Sequence, residues 1–202
     1  MPQYVLSISY GKDSLACLGA IEKLGLPLDR IVTAEVWFDE NIPADLPPMR
    51  EFKAKAERII KDRWGIKVEH FTCNKYLYLE KDKVSYKDAF YQKKLKGKHI
   101  GEIYGFPIRK GNWCLKLKLQ AIDQCTFDDC VQYLGIAEDE PERLARLDGV
   151  KKISPLHLIG WTESDAKKWC IENDLLSPIY TDTCTRGGVG FVIIKEYRNF
   201  EI

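Results

Sequence analysis

The sequence predicts an α/β fold: a doubly wound parallel sheet of about five strands, carrying a partly helical insertion and a short C-terminal appendage. Apolar, β-prone runs alternate along the chain with amphipathic helical patterns. The first strand passes through a tight glycine loop into a helix, and several helices carry their own start and stop residues. Strands separated by helices lie parallel and are joined by right-handed crossovers, because only that hand packs the helix back onto the sheet.

Tyr4 to Ser9 (YVLSIS) forms the first strand, Gly11 opens the loop, and DSLACLGAIEKLG reads as a helix ending near Gly25. Ile31 to Asp39 (IVTAEVWFD) reads as a second buried strand. PPMREFKAKAERIIKDRWG follows as a helix, with Pro48 near its start and Gly65 past its end. Proline is tolerated there because the first helical N–H has no partner within the helix, and glycine supplies the left-handed stop. IKVEHFTC gives the third strand. From about 75 to 115 Lys, Tyr and Gly dominate and periodicity is weak until Leu115, which predicts a partly helical insertion. A strand near Cys130 to Gly135 resumes the sheet. Thr162 with Asp165 three residues on makes an N-cap for a helix running to about Asn173.

A chain of 202 residues, 45% hydrophobic, buries one proper core, so a single domain over 1–188 is expected, with 189–202 as an atypical tail. Lys and Arg (31) nearly balance Asp and Glu (30), so the net charge of +1 argues for no nucleic-acid or membrane partner globally. Any basic surface is local, and Arg109, Lys110, Lys116 and Lys118 form one such cluster. Lys12 and Asp13 interrupt the apolar run that a leader would need, and no apolar stretch is long enough to span a bilayer; a cytoplasmic protein is expected. The seven cysteines then read as reduced thiols or metal ligands, with Cys17 and Cys170 in helical patterns as core residues. His70, His99 and His157 have no metal spacing. His157, in an apolar run, is expected in the core, and Trp161 and Trp169 are expected in the core or on a helix face.

The loop Ser9-Tyr10-Gly11-Lys12-Asp13-Ser14 carries the chemistry. Between a buried strand and a helix, backbone N–H groups and the positive end of the helix dipole face an anion, and Lys12 adds charge. The alternative is a plain turn in which Gly11 serves geometry, Asp13 caps the helix and Lys12 is solvated. Neither G-x-x-x-x-G-K-[ST] nor G-x-G-x-x-G is present. Asp39 ends the second strand, where doubly wound sheets meet a nucleotide's sugar or base. Asp139, Glu140 and Arg143 lie just beyond another strand end, and Arg143 either grips phosphate or sulfate in two hydrogen bonds or pairs with Asp139 across one turn.

The loop resembles the S-G-G-x-D-S pyrophosphate loop of the adenine nucleotide alpha-hydrolase-like superfamily, with Tyr10 in place of the first glycine. VQYLGIAEDEPERLARL, SPLHLIGWTESDAKKWCIENDLLSPIY and GNWCLKLK resemble segments of the phosphoadenosine phosphosulfate reductase family, in that family's order and approximate spacing. The resemblance runs to about Gly188 and implies a Rossmann-like sheet. It implies that Ser9, Tyr10, Gly11, Lys12, Asp13 and Ser14 hold the phosphates of ATP or phosphoadenosine phosphosulfate, with Mg²⁺. Asp39, Lys118, Asp139 and Glu140 would complete the nucleotide site, and Lys12, Asp13 and Arg143 would be the catalytic set. The reaction is then reduction of the sulfonucleotide to sulfite by a thiol electron donor. Alternatively it is cleavage of ATP between its α and β phosphates, for sulfur transfer or nucleic-acid modification docked on the Lys-rich insertion. A nucleotide-binding module without activity is the third option. A homodimer and no membrane partner are expected.

Reductases of this family carry a catalytic cysteine in a C-terminal tail, and residues 185–202 contain none. A related subgroup has cysteines that imply an iron-sulfur cluster or zinc site, and Cys114 and Cys184 match two of them. The subgroup continues with Cys-Trp-Phe-Cys-His-Asn-Gln where this chain has Val189 to Lys195. TGT TGG TTT TGT CAT AAT CAA, read one nucleotide later, gives the first two bases of the codons for Val, Gly, Phe, Val, Ile, Ile and Lys. A one-nucleotide slip near Gly188 is therefore expected, with loss of the remaining metal ligands. Only the third bases are free, so sequencing the source gene tests this: a coding sequence whose third bases do not complete those codons refutes the slip.

Overall fold

The computed structural model describes residues 2–107, 112–125, 129–147 and 151–180. A five-stranded sheet is ordered β5-β2-β1-β8-β9, built from β1 (Gln3–Ile8), β2 (Arg30–Glu35), β5 (Val68–Thr72), β8 (Cys130–Tyr133) and β9 (Lys152–Ile153). The pairs β1–β2, β1–β8 and β8–β9 run parallel, with Val5 opposite Arg30 and Leu6 opposite Tyr133. This is the α/β sheet that the alternating pattern predicts. Val5 and Leu6 on the central β1 are both fully buried, as expected of a strand covered on both faces. The chain leaves β1 toward β2 on one side, whereas β8 lies on the other. The carboxyl end of β1 is thus the point where strand order reverses, and in open α/β sheets ligands bind in the crevice there.

The described residues fall into two compact units. The first comprises 2–33, 47–69, 129–147 and 151–180. Its helices are α1 (Lys12–Leu24), α2 (Pro47–Trp64), α5 (Pro141–Leu144), α6 (Pro155–Leu158) and α7 (Glu163–Glu172). Its core gathers Leu6, Leu15, Leu18, Ile31, Ile60 and Leu156. The second comprises 34–46, 70–107 and 112–125, with hairpins β3 (Trp37–Asp39)–β4 (Ile42–Pro43) and β6 (Lys75–Tyr76)–β7 (Leu79–Glu80) and helices α3 (Tyr86–Tyr91) and α4 (Trp113–Asp123). Its own core centres on Trp113, whose ring meets Tyr86 edge-on and whose indole N–H donates to the Gly105 carbonyl at 2.9 Å.

Local signals set most boundaries. Gly25 ends α1 at φ 61°, and its N–H satisfies the Glu22 carbonyl. Thr162 and Asp165 form the reciprocal capping box at α7, as their spacing predicts. The second strand is shorter than its apolar run: it stops at Glu35, because Val36 turns its carbonyl to the Ala44 N–H and starts the β3–β4 hairpin. The strand expected over 130–135 ends at Tyr133. His157 is not a core residue. In the single turn of α6, Pro155 and Leu156 take the inward positions, leaving His157 exposed against Glu138. The six described cysteines form no disulfide, and Cys17 and Cys170 are fully buried. Among the described residues no helix is long and apolar enough to cross a membrane. The tail from 189 lies outside the described residues, so the frame-slip expectation is untouched by the structure.

Helix α1 is held against α7 at a contact that only glycine permits. A Cβ built on Gly19 would lie 2.2 Å from Cε2 of the Trp169 indole. Gly to Ala in a helix interior ordinarily stabilises by about 1 kcal/mol. Here Gly19→Ala is expected to destabilise the fold by roughly 1–3 kcal/mol, since overpacking displaces a buried ring; urea unfolding followed by tryptophan fluorescence measures it.

Candidate functional site

The loop after β1 turns on Tyr10, whose φ of 57° is left-handed. A residue with a Cβ sits there at a cost of about 1–2 kcal/mol, which glycine avoids. The ring offsets that cost: Tyr10 is 1% exposed, its hydroxyl donates to Glu57 Oε1 at 2.6 Å, and the Lys53 ammonium lies 5.0 Å from the ring centroid. Tyr10 therefore keeps the backbone turn that a glycine would make and fastens it to α2. Its side chain points into the core instead of the loop's mouth.

Gly11 follows as N-cap of α1 and, as a glycine, supplies no side-chain cap of its own. The first helical N–H, that of Lys12, instead donates to the Tyr180 hydroxyl at 3.1 Å. Ser14 ties the loop to itself: its Oγ accepts from the Ser9 N–H at 3.1 Å and donates to the Gly11 carbonyl at 2.9 Å. The Ser9 hydroxyl lies 3.3 Å from that of Ser14, and Ser9 is exposed. Gly135, just beyond β8, presses on the same turn: a Cβ there would lie 2.6 Å from the Ser14 nitrogen. Backbone thus meets backbone at the start of α1, and no side chain fits between.

Lys12 does not extend into solvent. Its side chain is 8% exposed, and its ammonium lies 2.7 Å from Asp13 Oδ1 and 3.0 Å from Glu163 Oε2. Burial opposes the charge, but the hydrogen bonds to Asp13 and Glu163 prevail and hold the Lys12 pKa above its usual value. Burial raises that of Asp13, and the Glu163 and Glu140 charges add to the rise against the pull of Lys12. One ammonium between two carboxylates leaves a cluster with a net negative charge. Glu163 is itself placed by Asp139, whose Oδ1 accepts its N–H at 3.0 Å. Arg143 pairs with Glu140 at 2.6 Å, one turn away, so its local partner is Glu140 and not Asp139.

The structure thus brings together Ser9, Tyr10, Gly11, Lys12, Asp13 and Ser14, with Asp139, Glu140 and Arg143 on the same unit. Asp39, Lys118 and Cys114 belong to the second unit. Asp39 accepts from Lys87 at 2.7 Å, which holds its carboxyl below the usual range. Cys114 is half-buried, and burial pushes its thiol up to about 11. Arg109, Lys110 and Cys184 lie outside the described residues. Among the described residues no group of three or more His, Cys, Asp or Glu could hold a metal ion.

Three residues of this site were invisible to motif reading: Glu163, Gly135 and Tyr180. Glu163 looks like the first residue after a cap, Gly135 like a strand-end glycine, and Tyr180 like the end of an apolar run. No local signal says that all three converge on one helix start.

No family model matches the chain, and no curated protein does. Among solved structures, the U34-tRNA thiolase NcsA from Methanococcus maripaludis with its 4Fe-4S cluster is similar with a TM-score of 0.49 at 14% identity. The likeness covers 97% of this chain and 65% of that one. The functional argument accordingly rests on the residues.

Because the Lys12 pKa is raised in the fold, its pairing contributes stability fully below pH 10.5 and loses it as pH climbs through the folded value. Glu163→Gln removes one of the two carboxylates. It is expected to move this alkaline loss to lower pH and to cost only about 0.5–1 kcal/mol near neutrality, since Glu163 is half exposed. Chemical denaturation of both proteins across the alkaline range measures the difference.

Proposed function

We propose that the chain binds an adenine nucleotide by its phosphates at Ser9 to Ser14 and cleaves ATP between the α and β phosphates, activating an acceptor for modification. The observation that carries this reading is the α1 start. It lies at the reversal point of the sheet, lacks a side-chain cap of its own, and has Lys12 as its first residue. Such a terminus offers N–H donors and a positive dipole to phosphate oxygens.

In the proposed reaction an acceptor oxygen attacks the α-phosphorus, the α–β bridging P–O bond breaks, and pyrophosphate leaves with the bonding pair. The acceptor is left adenylated, ready for a nucleophile to displace AMP. Lys12 turns from Glu163 to the phosphates and neutralises charge on the leaving group. Asp13 holds the ammonium in direction. Exposed Arg143 exchanges its Glu140 partner for a phosphate or the acceptor. Asp39 and Lys118 carry no step in this scheme.

This reading is preferred to sulfonucleotide reduction because of the thiols beside the loop. Attack on sulfur needs a thiolate. Burial pushes the Cys170 thiol up to about 12 and raises that of Cys17 further, and the Cys170 thiol lies 3.2 Å from the Lys12 carbonyl as a donor. A nucleic-acid acceptor is favoured by the insertion. Eight lysines stand against four carboxylates between 75 and 107, in a chain of net charge +1. Tyr78, Tyr91 and Phe106 are exposed among them, as base-stacking platforms require.

Titration with ATP is expected to show binding that Lys12→Ala weakens by roughly tenfold or more, with the acceptor-dependent product being pyrophosphate. Sulfite release from phosphoadenosine phosphosulfate would instead support the reductase. Replacing Lys96 and Lys98 together with Glu is expected to weaken single-stranded RNA binding and lower its salt slope by roughly 1.4. An unchanged slope would remove the nucleic-acid acceptor.

A further inference from the structure

The Lys12 N–H is the first donor a phosphate would meet on α1, and in the folded chain it already has an acceptor, the phenol oxygen of Tyr180. The fit is close. A Cβ on Gly11 would lie 3.2 Å from that oxygen and 3.4 Å from the Ser9 hydroxyl, so glycine leaves the phenol its place. Tyr180 reaches this position from a well-anchored base. Leu175 is fully buried, Ser177 is 2% exposed, the Ser177 hydroxyl lies 3.0 Å from Met49 Sδ, and the Tyr180 N–H donates to the Ser177 carbonyl at 3.1 Å. Only the short stretch after Ser177 has to turn for the phenol to leave.

Resting on the nucleotide-site reading above, we propose that Tyr180 is a built-in competitor for that site. Its hydroxyl caps α1 while the loop is empty, and a phosphate oxygen must displace it to bind. The physical case is a difference in acceptor strength. Burial raises the Tyr180 pKa, so the phenol is neutral at physiological pH. A neutral oxygen satisfies one N–H. A phosphate oxygen makes a charge-assisted bond about twice as strong with the same donor, and it gains the helix dipole as well. Exchange therefore favours anions alone. Adenosine, which has the base and sugar but no phosphate, leaves Tyr180 in place, whereas pyrophosphate or ATP releases it. Release also frees the chain at 178–180.

Two measurements on the full chain test this with inorganic pyrophosphate as the probe. Tyr180→Phe removes the competing oxygen and leaves the ring, and thermal melting verifies its fold. Its affinity for pyrophosphate is expected to rise roughly three- to tenfold, the net worth of one hydrogen bond. In the wild-type chain, acetylation of the Tyr180 hydroxyl by N-acetylimidazole, read by peptide mass spectrometry, is expected to increase with saturating pyrophosphate and to stay level with adenosine. If the wild-type chain binds pyrophosphate but Tyr180→Phe binds no tighter, or Tyr180 labelling does not change, the competitor role is overturned and the phosphate site stands. If neither protein binds pyrophosphate or ATP, the phosphate site itself is refuted and the competitor falls with it.

Discussion

The first turn of α1 is the constraint on which the rest of this molecule depends. Its N–H groups and the Lys12 charge need partners, and the protein supplies them from the turn itself, from α7 and from Tyr180. Tyr180 meets the Lys12 amide, Asp13 and Glu163 meet its ammonium, Ser14 ties the turn back to Ser9, and Cys170 donates to the Lys12 carbonyl. The Lys12 amide and ammonium at this helix start are thus engaged by the protein itself. The consequence is that a ligand must exchange for existing contacts rather than fill a bare seat.

That exchange has a direction. The ammonium between two carboxylates is attractive to itself and not to an approaching anion, since the cluster carries net negative charge. Phosphate gains Lys12 only when the lysine turns away from Asp13 or Glu163. Asp13, partly buried and close to two other carboxylates, already has a raised pKa. The device resembles a spring: charges paired in the empty state become available when a stronger partner enters, and the fold remains intact because its core is elsewhere. Leu15, Leu18 and Gly19 under Trp169 anchor α1 below the turn, independent of what occupies its tip.

How much of this was legible in the sequence follows from the range of each signal. The Thr162–Asp165 capping box, the Gly25 stop and the Pro47–Trp64 helix are set by residues within four positions of one another, so pattern reading placed them closely. The second strand was overextended because Val36 to Asp39 is as apolar as the strand before it. Only the pairing of Val36 with Ala44 in a hairpin separates them. His157 was misplaced for a related reason: an apolar run of four residues says nothing about which of them faces inward in a single helical turn. Tyr10 could be identified as a departure from a glycine, but its buried ring and its bond to Glu57, 47 positions away, could not.

The sequence by itself determined the alternation of strands and helices, the loop joining the first strand to α1, and the residue types on which the proposed anion site rests. Those properties depend on local periodicity, on backbone conformations that Gly and Pro permit, and on side-chain charge, all of which are written in adjacent residues. Only the tertiary structure decided that the turn would be fastened through Tyr10, that Lys12 would be claimed by Glu163, and that Tyr180 would occupy the amide a phosphate needs. These contacts join positions up to 168 residues apart, and packing, not sequence proximity, brings their atoms within hydrogen-bonding distance.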